Sequence, residues 1–159
     1  MQNEIDKLIA QLKLPGLTVN KPQAQNVFQI VGVVGLGETV TMLDVASDGP
    51  FDEITLPYSF SVENCAALIA RGNSQYPRIK NGDIVIFHRN DASPSDMLGR
   101  ESVIRLVDGR ILLKTIRQGS APDRFTLMSH NDDPIESVQI EWVGEVLSIV
   151  PAGAWHKVR

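Results

Sequence analysis

Cysteine and long apolar runs are scarce in this chain, and each shortage excludes a class of protein. The single cysteine, Cys65, cannot form an internal disulfide, which agrees with a reducing compartment. It begins an apolar run with no histidine nearby in the sequence, so we interpret it as a buried structural thiol. No apolar run has the length of a membrane span or the form of a signal peptide. These absences predict a cytoplasmic protein with no membrane partner.

Metal-binding patterns and excess basic charge are also lacking. No two of the three histidines, His88, His130 and His156, have the spacing of metal ligands, so we expect no metal and no cofactor. The 15 Lys and Arg residues are outnumbered by 19 Asp and Glu residues, which gives a formal net charge of −4. An acidic surface repels the phosphate backbone, so any DNA contact is expected to come from outside this chain.

The chain of 159 residues is long enough for one domain with a single hydrophobic core. Apolar residues from Ile5 to Leu12 recur at the i, i+3, i+4, i+7 spacing of one helical face, which predicts a short amphipathic helix over residues 3–13. A proline and several amides follow and indicate a linker. We therefore predict an arm of helix and linker over residues 1–26 and a domain over residues 27–159.

The pattern from Val27 to Val150 is typical of β-strands, because β-branched and aromatic runs alternate with turns rich in Gly, Asn and Asp. No alternation of strands with helices occurs there, so a parallel sheet is not expected. We predict a mainly β domain of strongly bent, mostly antiparallel sheets. The predicted strands include Cys65–Arg71, Ile84–His88, Ser102–Val107, Arg110–Arg117, Arg124–Met128 and Gln139–Val150.

Two polar residues stand out in this β pattern. Ser74 lies in a turn between two predicted strands, and such a turn by itself is ordinary. Lys114 shares one face of its strand with Leu112 and Ile116. Either the strand is near an edge and the lysine extends to water, or the lysine is buried, where lost hydration favours a neutral amine that can take a proton from a serine. The sequence identifies no carboxylate partner for Lys114.

Five motifs, in order, resemble the LexA-type family of self-cleaving repressor C-terminal domains and cover about residues 28–150. They are Val31-Gly-Val-Val-Gly-Leu-Gly-Glu38, Gly72-Asn-Ser-Gln-Tyr-Pro77, Asn81-Gly-Asp-Ile-Val85, Asp108-Gly109 with Leu113-Lys114, and Leu127-Met-Ser-His-Asn131. The resemblance implies that Ser74 is the nucleophile and Lys114 the general base. It also implies that the backbone N–H groups of Asn73 and Ser74 form the oxyanion hole. The first motif is similar to the family's cleavage segment and places the cut bond at Leu36–Gly37.

The chain departs from that family at two positions. Gln75 stands directly after the nucleophile, where the family usually has Met. Leu36 stands directly before the cut bond, where the family has a small residue. Because the side chain of Leu36 is larger than the Ala or Cys the pocket accepts, we expect self-cleavage to be slow or absent. His130, beside Asn131, is an alternative base in a Ser-His-Asp arrangement, although the resemblance assigns that role to Lys114.

The resemblance implies a C-terminal regulatory and dimerisation domain of a LexA-type or phage-type transcriptional repressor, as in the SOS response. Its partners would be a second copy of the chain and an activator protein that triggers self-cleavage. DNA would be bound only through a helix-turn-helix domain absent from this chain, and we expect the chain to be a fragment of a longer repressor. Trp142 and Trp155, near the C-terminal strand, are candidate dimer contacts.

Four alternatives remain, one of them a generic small β-domain in which the serine turn is coincidental. A non-catalytic dimerisation module would keep the fold and the Ser-Lys pair without cutting, and Leu36 favours it. A UmuD-type polymerase accessory protein would have only a short cleavable arm. A separate processing peptidase that acts on other proteins is the least favoured, because the chain has no membrane anchor.

Overall fold

The computed structural model describes residues 25–44, 52–60, 64–72, 78–89, 92–130 and 132–158. The predicted N-terminal helix and nearly all of the predicted arm lie outside these ranges. Asn73, Ser74 and Gln75 also lie outside them. The boundary between arm and domain therefore stays a prediction.

Eleven strands form one strongly curled sheet in the described residues, which confirms the predicted mainly β fold. They are β1 (Gln25–Val34), β2 (Val40–Met42), β3 (Glu53–Phe60), β4 (Cys65–Ala70), β5 (Ile84–Arg89), β6 (Glu101–Leu106), β7 (Ile111–Gln118), β8 (Phe125–Met128), β9 (Ile135–Val138), β10 (Ile140–Val150) and β11 (His156–Lys157). The helical turns in this part of the chain are three short 3₁₀ segments, Leu36–Glu38, Pro94–Met97 and Ala152–Ala154.

The strand order is β11-β3-β1-β4-β5-β10-β6-β7-β8-β9, and β2 pairs with the end of β1. The paired strands are antiparallel except β1 and β4, which are parallel. The exception has a simple cause. The strand β3 returns antiparallel to β1 on one side, and β4 then takes the other side in the direction of β1. Local sequence patterns do not carry this information.

The six strands predicted individually correspond to β4, β5, β6, β7, β8 and β10, and their ends differ by a single residue. The sequence pattern did not predict β3, β9 and β11 as individual strands. Pro57 interrupts β3, and a proline inside a run argues against a strand. The other two strands are short, and they form because a longer neighbour offers them hydrogen-bonding partners.

Three clusters of buried side chains make up the core. One of these clusters packs beside the strand that carries Lys114. It contains Val34 at the end of β1, Val40 at the start of β2 and Leu113 on β7. Packing of these three residues holds the β1–β2 hairpin against the strand that carries Lys114.

The long strand β10 joins the two halves of the sheet, because it pairs with both β5 and β6. Gly144 lies where both neighbours are paired, and a Cβ atom there would come within 2.9 Å of the carbonyl oxygen of His88. The same Cβ would lie 3.0 Å from the ring of Phe87. The sheet therefore requires glycine at this position for close packing.

We predict that Gly144→Ala lowers the free energy of unfolding by about 1–3 kcal/mol, because the backbone of β5 must shift to admit a methyl group. Chemical denaturation of the purified chain measures this loss. Gly153→Ala is the control, since nothing lies within 4 Å of its added Cβ, and its effect should stay within about 0.5 kcal/mol. Equal stability of the two variants would contradict the close packing at Gly144.

Candidate active site

Lys114 is buried in the interior of the sheet, with 3% of its surface exposed. Its strand β7 is paired with β6 on one side and with β8 on the other. Leu112 and Ile116, which share its face, are also buried. The edge-strand interpretation of Lys114 is therefore wrong, and the predicted burial is confirmed. A lysine in such a place needs a compensating partner.

That partner is Glu38, whose Oε2 lies 3.5 Å from the Nζ of Lys114. The two side chains are only 10% and 2% exposed. A second carboxylate oxygen, Oδ2 of the exposed Asp132, lies 3.9 Å from the same Nζ. The expectation that Lys114 has no carboxylate partner is thus wrong. Glu38 is far from Lys114 in the sequence, and only the folded hairpin brings them together.

The β1–β2 hairpin carries Glu38 at its tip. Val34 pairs with Val40, and the N–H of Gly35 donates to the carbonyl oxygen of Thr39 at 2.8 Å. The loop between them is the 3₁₀ turn Leu36–Glu38, in which Gly37 has φ 65° and Glu38 has φ 58°. Glycine suits a left-handed conformation, whereas glutamate adopts it at a cost that its contacts must offset.

The tip of this hairpin lies beside the first half of β7, which is not paired with β8. Thr39 forms an antiparallel bridge with Leu112, whose other side is paired with β6. The side chain of Glu38, at the tip, reaches Lys114 two residues further along β7. The structure shows a hairpin turn whose tip rests beside Lys114.

Burial raises the pKa of the Glu38 carboxyl above its ordinary value. The attraction of Lys114 opposes this effect without cancelling it, and the nearby Glu101 adds to it. His130 opposes it weakly. The fold therefore disfavours the charged form of Glu38. As a result, the stability of the fold depends on pH through this carboxyl group.

Asp132 is held near Lys114 by the loop that follows β8. Its backbone N–H donates to the Oγ of Ser129 at 3.1 Å. A Cβ atom added to Gly37 would lie 3.6 Å from its Oδ2, so Asp132 also borders the hairpin tip. Sequence reasoning missed Asp132, although it directly follows the motif that ends at Asn131.

A cavity of about 220 Å³ lies beside the ion pair. Its lining is mostly polar: Glu38, Glu101, Thr115, Arg117, Met128, Ser129 and His130. His130 therefore lies in the neighbourhood of Glu38. Its predicted alternative role as a base depends on Ser74, which is not among the described residues.

The residues that flank Ser74 approach the same region from both sides. The N–H of Arg71 donates to the carbonyl oxygen of Val34 at 2.9 Å, so this end borders the β1–β2 hairpin. At the other end, Arg78 forms a 2.9 Å ion pair with Glu101, the first residue of β6. Asn73 and Ser74 lie between these points in sequence and outside the described residues, so their roles as oxyanion hole and nucleophile stay predictions.

The motif Asn81-Gly-Asp has a structural explanation. The two carboxylate oxygens of the buried Asp83 accept the backbone N–H groups of Lys80 and Ala152, at 2.9 and 3.1 Å. The indole N–H of Trp155 donates to the carbonyl oxygen of Gly82 at 2.9 Å. Trp155 thus packs within its own chain, and its predicted role as a dimer contact remains untested.

Cys65, at the start of β4, is half-buried, and this burial raises the pKa of its thiol. A raised pKa favours the protonated and unreactive form, which agrees with the structural role predicted for it.

Among the residues that the structure describes, no group of three His, Cys, Asp or Glu side chains is arranged to hold a metal ion. None of the helical segments in this same part of the chain has the length and apolar character needed to cross a membrane.

Comparison with protein families gave a match over most of the chain. The profile of a family described as Peptidase S24-like matches residues 22–147. The match covers well over half of the chain and includes the hairpin tip, Ser74 and Lys114. A search of curated proteins gave no match.

We predict that Lys114 and Glu38 are energetically coupled by about 1–3 kcal/mol. At neutral pH, Lys114→Met should destabilise the fold because it strands a buried carboxylate, and adding Glu38→Gln should recover most of the loss. A double-mutant cycle measured by chemical denaturation gives the coupling. The exposed pair Lys157–Asp52, 3.3 Å apart, is the control and should give less than about 1 kcal/mol. A Lys114–Glu38 coupling as small as the control would contradict the buried pair.

We also predict a pH dependence that belongs to Glu38. Because its pKa is raised in the fold, its contribution to stability is fully present below its ordinary value of 4.5 and is lost as pH rises through the folded value. The stability of Glu38→Gln relative to the parent should therefore increase from acidic to neutral pH. Unfolding curves at several pH values measure this, with the exposed Glu136→Gln as control. Parallel pH profiles for Glu38→Gln and parent would contradict the raised pKa.

Proposed function

Because the chain belongs to the Peptidase S24-like family, the family of LexA, UmuD and phage-repressor C-terminal domains, we propose that it cleaves its own backbone at Leu36–Gly37. One observation carries the proposal. The hairpin tip that contains this bond lies beside the buried amine of Lys114, because Thr39 bridges Leu112 on the same strand and Glu38 contacts the amine. A general base must lie close to the bond that it helps to break.

In the proposed reaction the Oγ of Ser74 attacks the carbonyl carbon of Leu36, and the amine of Lys114 takes the hydroxyl proton. The backbone N–H groups of Asn73 and Ser74 hold the negative charge that develops on the carbonyl oxygen. The C–N bond then breaks, and Lys114 returns the proton to the leaving nitrogen of Gly37. Water hydrolyses the resulting ester of Ser74.

In this proposal Glu38 also restrains the reaction. Its carboxylate lies 3.5 Å from the amine of Lys114, so the amine is engaged with Glu38 in the resting arrangement. The amine must leave this contact before it can serve as the base for Ser74. Any change that separates Glu38 from Lys114, or an activator protein that stabilises their separation, releases the reaction.

The second candidate function is a non-catalytic dimerisation module. Two observations favour it: the ion pair that engages Lys114 with Glu38, and Leu36 where the family has a small residue before the cut bond. A module of this kind would use the buried pair only to fix the hairpin. The two functions differ in whether a smaller residue at position 36 permits cutting.

For the biological role, we propose the regulatory and dimerisation domain of a cytoplasmic transcriptional repressor. The excess of acidic residues supports DNA binding through a separate helix-turn-helix domain and not through this chain. A UmuD-type accessory protein is the alternative within the same family. Such a protein would use the same cleavage chemistry but would bind a polymerase, whereas a repressor is joined to a domain that binds operator DNA.

We predict that Leu36→Ala accelerates cleavage at the bond between residues 36 and 37 by at least about tenfold, because a badly fitting methylene alone costs about 1–3 kcal/mol in a pocket. The purified variant and parent are incubated at mildly alkaline pH, and intact masses of the fragments are followed with time.

Adding Ser74→Ala to the Leu36→Ala variant should abolish the cutting, while Ser95→Ala, an exposed serine, should not change it. A folded Leu36→Ala variant that stays intact would support the non-catalytic module. Rapid cutting of the parent would show that the pocket accepts leucine.

A further inference from the structure

Four polar residues are buried in the part of the chain that the structure describes: Glu38, Asp83, Ser102 and Lys114. Asp83 is accounted for by its turn, and Glu38 and Lys114 form the ion pair. Ser102 is 0% exposed and has no role in the mechanism above. A buried hydroxyl is unfavourable unless it makes hydrogen bonds, so its position needs an explanation.

Ser102 lies directly beside Lys114. The antiparallel pairing of β6 with β7 places the two residues opposite each other. Residues opposed in this way point to the same face of a sheet, with Cβ atoms about 4.5–5.5 Å apart. The hairpin tip occupies the other edge of β7, where Thr39 bridges Leu112. Lys114 is thus flanked by carboxylates on one side and by the hydroxyl of Ser102 on the other.

The same row of the sheet continues as polar residues toward the surface. Ser102 is paired with Glu145 on β10, and Glu145 is paired with His88 on β5. Glu145 accepts a hydrogen bond from Arg100 at 2.7 Å. The neighbour of Ser102 on its own strand face, Ile104, is fully buried and apolar. Ser102 thus joins Lys114 to a row of polar residues that runs across four strands beside buried apolar side chains.

The hydroxyl chemistry fits a hydrogen bond to the amine. The Oγ of Ser102 donates to the carbonyl oxygen of Arg100 at 3.4 Å, which leaves its lone pairs free to accept. We propose that Ser102 is a positioning residue whose oxygen accepts an N–H of Lys114. In the neutral amine this bond directs one N–H toward β6 and turns the nitrogen lone pair toward the hairpin side. This inference rests on the proposed self-cleavage.

The kinetic test uses the Leu36→Ala background. Ser102→Ala should slow cleavage by roughly ten- to a hundredfold, because a misplaced catalytic group loses rate on this scale. It should also shift the midpoint of the pH–rate profile, whereas Ser102→Thr, which keeps a hydroxyl, should restore both rate and midpoint. Ser120→Ala, an exposed serine after β7, is the control. An unchanged rate and midpoint in a folded Ser102→Ala variant would overturn the proposal.

A second measurement does not depend on cleavage. In a chain with Ser74→Ala and ¹³C-labelled lysine, the two Hε protons of a restrained Lys114 should give separate NMR signals, identified by their loss in Lys114→Met. Ser102→Ala should merge them. If the signals stay separate in Ser102→Ala, the positioning role is wrong. If they merge but no variant ever cuts, the contact stands and the proposed self-cleavage fails.

Discussion

The burial of the Lys114 side chain is the constraint on which the rest of this structure depends. Removing a charge from water costs several kcal/mol, so the sheet tolerates Lys114 only with a partner in close contact. Glu38 meets that need at 3.5 Å, but only when the β1–β2 hairpin is folded onto β7. The ion pair and the packing of Val34 and Val40 on Leu113 therefore stabilise the same arrangement.

The same hairpin has two consequences for chemistry. Its contact with Lys114 brings the bond after Leu36 to the proposed base, so substrate and catalyst are assembled during folding. In the proposed reaction Glu38, the second residue after that bond, restrains Lys114 through the same contact. Proximity and restraint would then come from adjacent residues, and the balance between them would set the proposed rate. The proposal assigns Leu36 a further, steric restraint at the same bond.

Local patterns in the sequence were sufficient to predict the mainly β fold and six strands within one residue, because alternation and turn residues are local properties. They were also sufficient to single out Lys114, whose charge conflicts with its apolar neighbours. The partners Glu38, Asp132 and Ser102 could not be predicted in this way. Each depends on which strands and loops become neighbours, as does the parallel pairing of β1 with β4. Pro57 breaks the local strand pattern of β3, so this strand was not predicted.

The dependence of cleavage on protein concentration tests the central claim most directly, namely that the hairpin tip is cut by the catalytic residues of its own chain, with Lys114 as the base. The formation of fragments 1–36 and 37–159 from the Leu36→Ala variant is followed by intact mass over a wide range of concentrations. Intramolecular cutting gives a first-order rate constant that is the same at every dilution. A rate constant that rises in proportion to concentration, or fragments that begin at another bond, would contradict the placement of the hairpin tip beside Lys114 as the reactive arrangement.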